Sequence, residues 1–434
     1  MRKKRNAFTL IELLAVIVIL AVILVISIPK ILDVIETSKI NALKNAVKLI
    51  ADSAEKKYTE KEAFGEENEI TCDSVSKLNK EDYSKCSIVF DENGIAKVSI
   101  VGKGKFDELA VINGTRISAE VIQLELPEYG EAKTFIENIY NDEVLRIAND
   151  LKKDNTSDQN IRYYGSNPDN YVSFNNELWR IIGVFGDNVK LVRSESLGSL
   201  SWDTSESSVN GGYGVNEWSQ ADLQVYLNKM YYGGTTVTCY GGSNNTTTCP
   251  TNKLDDASKT LIDNHLWNTG AIDETDTTIV NQETFALNTV PFYNAERGNV
   301  TGKICNGGGR CNDTVERATT WTGYIGLPYA TDYAYASSES ICETNMQKQD
   351  SSNAYICKNN NWMFKPNTWY WTMSPRARAS DASLVWIVRV DGLTGDSPAS
   401  FANAVFPAIY LKSDILIESG TGTSSDPYIL KASA

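Results

Sequence analysis

The sequence predicts an α+β protein in two parts. A long N-terminal transmembrane and amphipathic helix lies on a small antiparallel sheet, and a larger, loop-rich, disulfide-bridged α+β region follows. Three observations carry this. Residues 8–28 form an apolar run of 21 residues, and helical spacing continues beyond it. All nine tryptophans fall after residue 155. The eight cysteines form four neighbouring pairs.

Composition narrows the function. The chain has 434 residues, more than one ordinary domain. Its 41 basic and 55 acidic residues give a charge of -14, which argues against nucleic acid as a partner. The one histidine, His265, excludes a histidine-rich metal centre, and a Ser-His-Asp triad would have to use it. No metal or cofactor is called for.

The N-terminus is the most informative stretch. A helix over 8–28 is about 31 Å long, matching a bilayer core of roughly 30 Å. Arg2, Lys3, Lys4 and Arg5 stay in the cytoplasm, which places the rest outside. A secretory signal has a shorter apolar region and a small-x-small cleavage site, and Ser27-Ile28-Pro29 is not one. A plain anchor leaves Glu12 unexplained, because a carboxylate in lipid costs about 2.5–3.5 kcal/mol or more without a partner.

Ala7-Phe8-Thr9-Leu10-Ile11-Glu12 resembles the processing site of type IV prepilins and pseudopilins. The resemblance implies that a prepilin peptidase removes leader 1–7 between Ala7 and Phe8 and methylates Phe8. It also implies that Glu12 and Pro29 serve filament assembly, since the family carries Glu and Pro there. Ala7 departs from the usual glycine. Cleavage creates an amine at Phe8 one turn from Glu12, and opposite charges attract strongly at low dielectric. In the family that amine meets the glutamate of a neighbouring subunit; pairing within one subunit remains the alternative. Pro29 lacks an N–H and is expected to kink or loosen the helix.

Past Pro29, Ile31, Val34, Ile35, Leu43, Val47, Ile50 and Ala54 recur at spacings of three and four. One helix to about Tyr58 is predicted. Its amphipathic half is covered by short strands at 87–90 and 95–101, around Asp91-Glu92-Asn93-Gly94, and at 109–112. The pilin-like domain is placed at 8–114. Residues 132–151 look helical, within a connector over 115–155, and 152–160 read as a polar linker or exposed loop.

The remaining region, 156–434, shows strand signals at 171–174, 178–184, 189–192, 384–390 and 406–411. Helices are expected at 220–230 and 254–267. The runs 160–184, 369–375, 390–392, 406–411 and 420–430 resemble an extracellular domain of unassigned function common in Firmicutes surface proteins. The pattern is similar to the C-type-lectin-like fold of the formylglycine-generating-enzyme type. Where that group commonly has Arg-Pro-Ala, this chain has Phe406-Pro407-Ala408.

Local bridges are predicted for Cys72–Cys86, Cys239–Cys249, Cys305–Cys311 and Cys342–Cys357, which suits an oxidising exterior. With every cysteine paired and no catalytic motif apparent, an enzyme is not expected. Trp362, Trp369, Tyr370 and Trp371, beside several asparagines, form a candidate site for a glycan or host-surface ligand. Alternation would instead send Trp369 and Trp371 together to one face, in the core. Asp332, Asp381 and Asp396 are loop acids without calcium-loop spacing.

Two readings stay open. One is a pilin-like subunit, minor or at the tip, displaying an adhesive head. The other is a pseudopilin of a type II secretion-like or competence machine. Loss of the four leader cations takes the charge from -14 to -18, which disfavours direct capture of DNA.

Overall fold

The computed structural model describes residues 10–64, 70–75, 79, 81–207, 212–273, 280–281, 286–298, 317–344, 351–377 and 382–433. Within the first helix, the side chains of 10–13 and 22–27 are not described. The chain divides into two compact units, Met1–Glu125 and Leu126–Ala434.

The first unit is built on helix α1, Leu10–Phe64. Its 55 residues make a rod of about 82 Å. The helix is continuous through Pro29 and runs six residues past the expected end at Tyr58, because Glu60, Lys61, Glu62 and Ala63 are strong helix formers. Helix α2, Cys72–Val75, leads to strands β1, Tyr83–Phe90, β2, Ala96–Gly102, β3, Leu109–Gly114, and β4, Ile122–Gln123. They form one antiparallel sheet in sequence order. The β1–β2 turn forms where Asn-Gly predicts it. Asp91 Oδ1 accepts from the amides of Asn93 and Ile95 at 2.9 and 3.0 Å, and Gly94 takes φ 73°. The two-residue strand β4 is too short to leave a periodic signal.

Leu43, Val47, Ile50, Ala51 and Ala54 of α1 are buried against Ala96, Val98, Ile100 and Val111 of the sheet. Gly114 permits the close approach: a Cβ there would sit 2.6 Å from Val47 Cγ1. Glu55 ties helix to sheet, accepting from the Ala96 amide at 3.2 Å and pairing with Arg116 at 2.9 Å.

The second unit is richer in sheet than the expected loops. One sheet runs in the order Ile325–Gly326, Ala408–Tyr410, Asn188–Arg193, Glu177–Phe185, Tyr171–Phe174, Tyr428–Lys431, Leu416–Ser419. Strands Ile161–Tyr163 and Leu151–Lys153 extend it from Glu177–Phe185. The other runs Ser199–Ser201, Ala402–Ala404, Tyr370–Ala377, Leu384–Val388, Thr394–Pro398. The hairpin at Phe174–Glu177 turns on Asn175 and Asn176, both at φ 56°, as a primed turn requires. Trp179, Trp202, Trp218, Trp267, Trp371 and Trp386 are almost fully buried.

Several expectations need correction. The helix expected over 132–151 is two, Ala132–Asn141 and Glu143–Ala148. Asp142 separates them and caps the second by accepting from the amides of Val144 and Leu145. The segment 115–155 is shared between the units: 122–123 complete the small sheet, and 126–155 pack into the second unit. Tryptophan content marks the larger core, not the crossing point of the chain. The expected linker or exposed loop 152–160 begins in the strand Leu151–Lys153 and keeps Asn155, Ser157, Asp158 and Gln159 exposed, but turns the side chains of Asp154, Thr156 and Asn160 inward. Asp154 accepts from Thr156 Oγ1 at 2.6 Å, Asn160 Nδ2 at 2.9 Å and Arg162 Nε at 2.7 Å. The helix expected at 220–230 is a short α-helix, Asp222–Val225, continued as the π-helix Tyr226–Tyr232. That expected at 254–267 ends at Leu261, and His265–Asn268 becomes a strand paired with Thr320–Gly323.

The bridges Cys72–Cys86, Cys239–Cys249 and Cys342–Cys357 are formed. Cys305 and Cys311 lie outside the described residues. Among the described residues no helix is long and apolar enough to cross a membrane. The expected span 8–28 includes positions outside that set, so its reading as a span rests on the sequence.

Candidate functional site

Two regions hold the residues singled out by the sequence. The first is α1. Its described apolar side chains between Leu14 and Ile35 are exposed: Leu14 is 62% exposed and Val34 68%. Burial begins further along, at Leu43, where the sheet covers the helix. The helix thus carries a covered half and an uncovered apolar half on one continuous backbone. Exposed apolar surface of this extent marks a site that another apolar surface covers. Pro29 lies in the uncovered half. Glu12 lies on the first described turn, its side chain outside the described set, and Ala7 and Phe8 lie outside it altogether.

The second region is the aromatic cluster. Trp371 is fully buried and donates to Leu200 O at 2.8 Å. Tyr370 is buried and donates to Met363 O at 3.0 Å; Trp362 is buried and donates to Tyr163 O at 3.0 Å. Trp369 is 46% exposed. The expectation that Trp369 joins Trp371 in the core therefore fails. The strand starts at Tyr370, so alternation does not reach back to Trp369. Trp371 serves the core, while Trp362 and Tyr370 line a narrow slot with Arg180, Ser194, Lys365 and Phe406. The sequence reading passed over Arg180, Ser194 and Lys365, which are far apart along the chain. The only sequence hint was Phe406, at the place where the resemblance expects a cation.

Residues 2–28 match the family described as the prokaryotic N-terminal methylation motif. No curated protein and no solved structure matches the chain. The motif supports a subunit of the type IV pilin or pseudopilin kind. It implies processing by prepilin peptidase, a membrane-anchored precursor and assembly with other pilins. The matched residues from Leu10 to Ile28 lie in the uncovered half of α1, so that part of the motif and the exposed apolar stripe share one helix.

The remaining candidates resolve into structural roles. His265 Nδ1 lies 3.0 Å from Asp263 Oδ2, its ring stacks on Tyr410, and burial lowers its pKa. Among the described residues no serine hydroxyl bonds it, so a Ser-His-Asp arrangement is not assembled there. Asp332 is buried and accepts from Arg162 at 2.8 Å and Lys190 at 2.6 Å. Asp396 pairs with Arg376. Asp381 lies outside the described residues. Among the described residues no group of three metal-ligating side chains occurs.

The cluster around Asp332 is the most charged part of the interior. Arg162 joins Asp332 to Asp154, and its guanidinium lies between the rings of Phe185 and Tyr335. Lys190 is fully buried over Tyr329; burial, only partly offset by Asp332, pushes it down to about 8. Glu296 is also fully buried, accepting from Ser374 and Thr331 and lying 3.7 Å from Arg297, and burial pushes its carboxyl up to about 7. With every one of these groups closed from solvent, the cluster orders the interior and offers no face to a substrate.

Proposed function

We propose that this chain is a minor or tip subunit of a type IV pilus-like surface filament, displaying residues 126–434 as an adhesive or ligand-binding head. The supporting observation is α1: an uncovered apolar half, headed by the methylation motif, on the same helix as a half that packs on its own sheet. In this reading peptidase cuts between Ala7 and Phe8, and residues 8–28 hold the subunit in the membrane before assembly. The apolar halves of several subunits then pack together. Glu12 meets the Phe8 amine of a neighbour, which removes an unpaired carboxylate from an apolar surround. The size of the second unit supports a minor or tip position, because a head of that size on every subunit would crowd a thin filament. Three disulfides suit an extracellular location. The lectin-like character of the head rests on the sequence runs quoted above.

The test is mass spectrometry of the mature N-terminus in membrane and sheared-surface fractions. An N-methylated Phe8 in the sheared fraction is expected. Intact Met1 with all the protein in the membrane would overturn the filament reading. Processed protein that leaves the cell surface bare, with loss of export or uptake on deletion, would favour the pseudopilin.

A further inference from the structure

The two ends of the second unit hold each other. The chain enters the unit at Leu126. Gly130 O accepts from the Ile417 amide at 2.8 Å, and the Ala132 amide donates to Ile415 O at 2.8 Å. Between them Glu131 bridges Leu416 in antiparallel register. The Tyr129 hydroxyl donates to Gly420 O at 3.1 Å. The Tyr129 ring stacks on Phe135 with centroids 5.6 Å apart, and Phe135 meets the Tyr428 ring edge-on at 5.5 Å. Residues 129–135 thus clasp the C-terminal hairpin.

The partners of this clasp are anchored unequally. Strands Leu416–Ser419 and Tyr428–Lys431 pair with each other, and the second pairs with Tyr171–Phe174 of the larger sheet. The entering segment reaches the edge of that sheet through two backbone bonds and one hydroxyl. Its ion pair to the sheet, Lys133–Asp187, lies at the surface with Asp187 82% exposed, where such pairs contribute little. Burial of Phe135, Ile136 and Ile139 keeps the segment closed at rest.

The far end of the segment is fixed. Asp150 takes φ 54° and its carbonyl accepts from the Tyr164 amide at 2.9 Å. Strand Leu151–Lys153 follows, paired with Ile161–Tyr163. Between the clasp and this point lie the helices Ala132–Asn141 and Glu143–Ala148. The bridges Cys239–Cys249 and Cys342–Cys357 cross-link other parts of the unit and leave 126–149 outside their loops. Opening of a fold starts where few bonds hold a contiguous piece, and not uniformly.

We propose that residues 126–149 form a strap that opens as one piece, from the clasp at Tyr129–Ala132 to the turn at Asp150, while the C-terminal hairpin and the sheets stay folded. A pull along the chain from the first unit arrives at Leu126 and loads this strap before any strand of the second unit. Full release frees roughly 80 Å of chain. The strap stands apart from the filament reading; its use as a yielding link under tension rests on that reading.

The test is hydrogen exchange of the full chain in detergent, read by mass spectrometry. Peptides within 132–148 are expected to exchange together and faster than those within 177–193 and 384–398. Two variants loosen the clasp alone. Ala132→Pro removes the donor to Ile415 O. Ala132 opens its helix, where proline fits, and Glu131 at φ -53° and ψ 129° already has the backbone that a following proline demands. Tyr129→Phe removes the donor to Gly420 O and keeps the ring, at a side chain 46% exposed. Tyr129→Phe is expected to speed exchange across 132–148 about threefold, and the double variant about tenfold, with 177–193 and 384–398 unchanged. Exchange in 132–148 no faster than in 177–193 would overturn the proposal, as would unchanged exchange in both variants. Equal acceleration of all three segments would overturn it too, because the unit would then open only as a whole. None of these outcomes touches the filament reading, which rests on residues 1–64.

Discussion

Arg162 Nη1 donates to Asp332 Oδ1 at 2.8 Å, with both side chains about 1% exposed. The pair joins a strand, Ile161–Tyr163, to a helix, Ala330–Tyr335, that are far apart in sequence. Lys190 takes the other oxygen of the same carboxylate. Removing Asp332 would therefore leave two buried cations short of their shared partner.

Asp332→Asn is expected to destabilise the second unit by about 3–5 kcal/mol, the usual cost of breaking a buried ion pair from one side. Urea denaturation of the detergent-solubilised full chain measures it. Asp187→Asn is the control, because its pair with Lys133 sits at the surface with Asp187 82% exposed, and its midpoint should not move. Equal midpoints for the two variants would contradict the structural role assigned to the cluster.

Glu296 makes stability depend on pH in an unusual direction. Its carboxyl keeps its proton in the folded state up to about 7, against a normal value of 4.5. Between those values unfolding releases a proton, so this group's contribution falls as pH rises. The span corresponds to about 3 kcal/mol. Asp154 and Asp332, held below the usual carboxylate range by Arg162 and Lys190 despite their burial, act oppositely and lose their contribution as pH falls. Subtracting the stability of Glu296→Gln from that of the parent at pH 5, 6, 7 and 8 isolates the effect. The difference should decline towards pH 7 and then level off. A flat difference would mean that the carboxyl titrates normally.

Two leucines on α1 should respond differently to truncation. Leu43 is fully buried in the helix–sheet core, while Leu49 is 67% exposed. Leu43→Ala is expected to cost about 2–5 kcal/mol, and Leu49→Ala no more than about 0.5 kcal/mol. Thermal unfolding of the full chain in detergent, followed by circular dichroism, separates them.

Glu12→Gln tests the assembly half of the helix. Leader removal should continue, because the cut lies between Ala7 and Phe8, whereas recovery of the chain in sheared filaments should drop sharply. Immunoblots of membrane and sheared fractions give both readings. Normal filament incorporation would remove Glu12 from the assembly mechanism.

Much of the first unit was legible because its signals are local. The spacing of Leu43, Val47, Ile50 and Ala54 gives the covered face, and Asn93-Gly94 gives the turn. The hairpin on Asn175-Asn176 was readable for the same reason. Asp154, Thr156 and Asn160 depart from the exposed loop that polar composition ordinarily signals, because their side chains satisfy one another on the inner side of a turn whose other residues face solvent. Arg180 and Lys365 carried no signal, because the residues that line their slot are far apart along the chain and meet only in the fold.

The continuity of α1 has a consequence for phase. Each residue advances the helix by about 100°. The apolar stripe before Ile35 and the face that begins at Leu43 share one rod, so the direction of the first fixes the direction of the second. A single residue inserted between them would swing the stripe by about 100° relative to the sheet while leaving both surfaces chemically intact. Seven inserted residues would nearly restore the original bearing, offset by about 20° and advanced by about 10 Å. The helix thus acts as an angular key as well as an anchor.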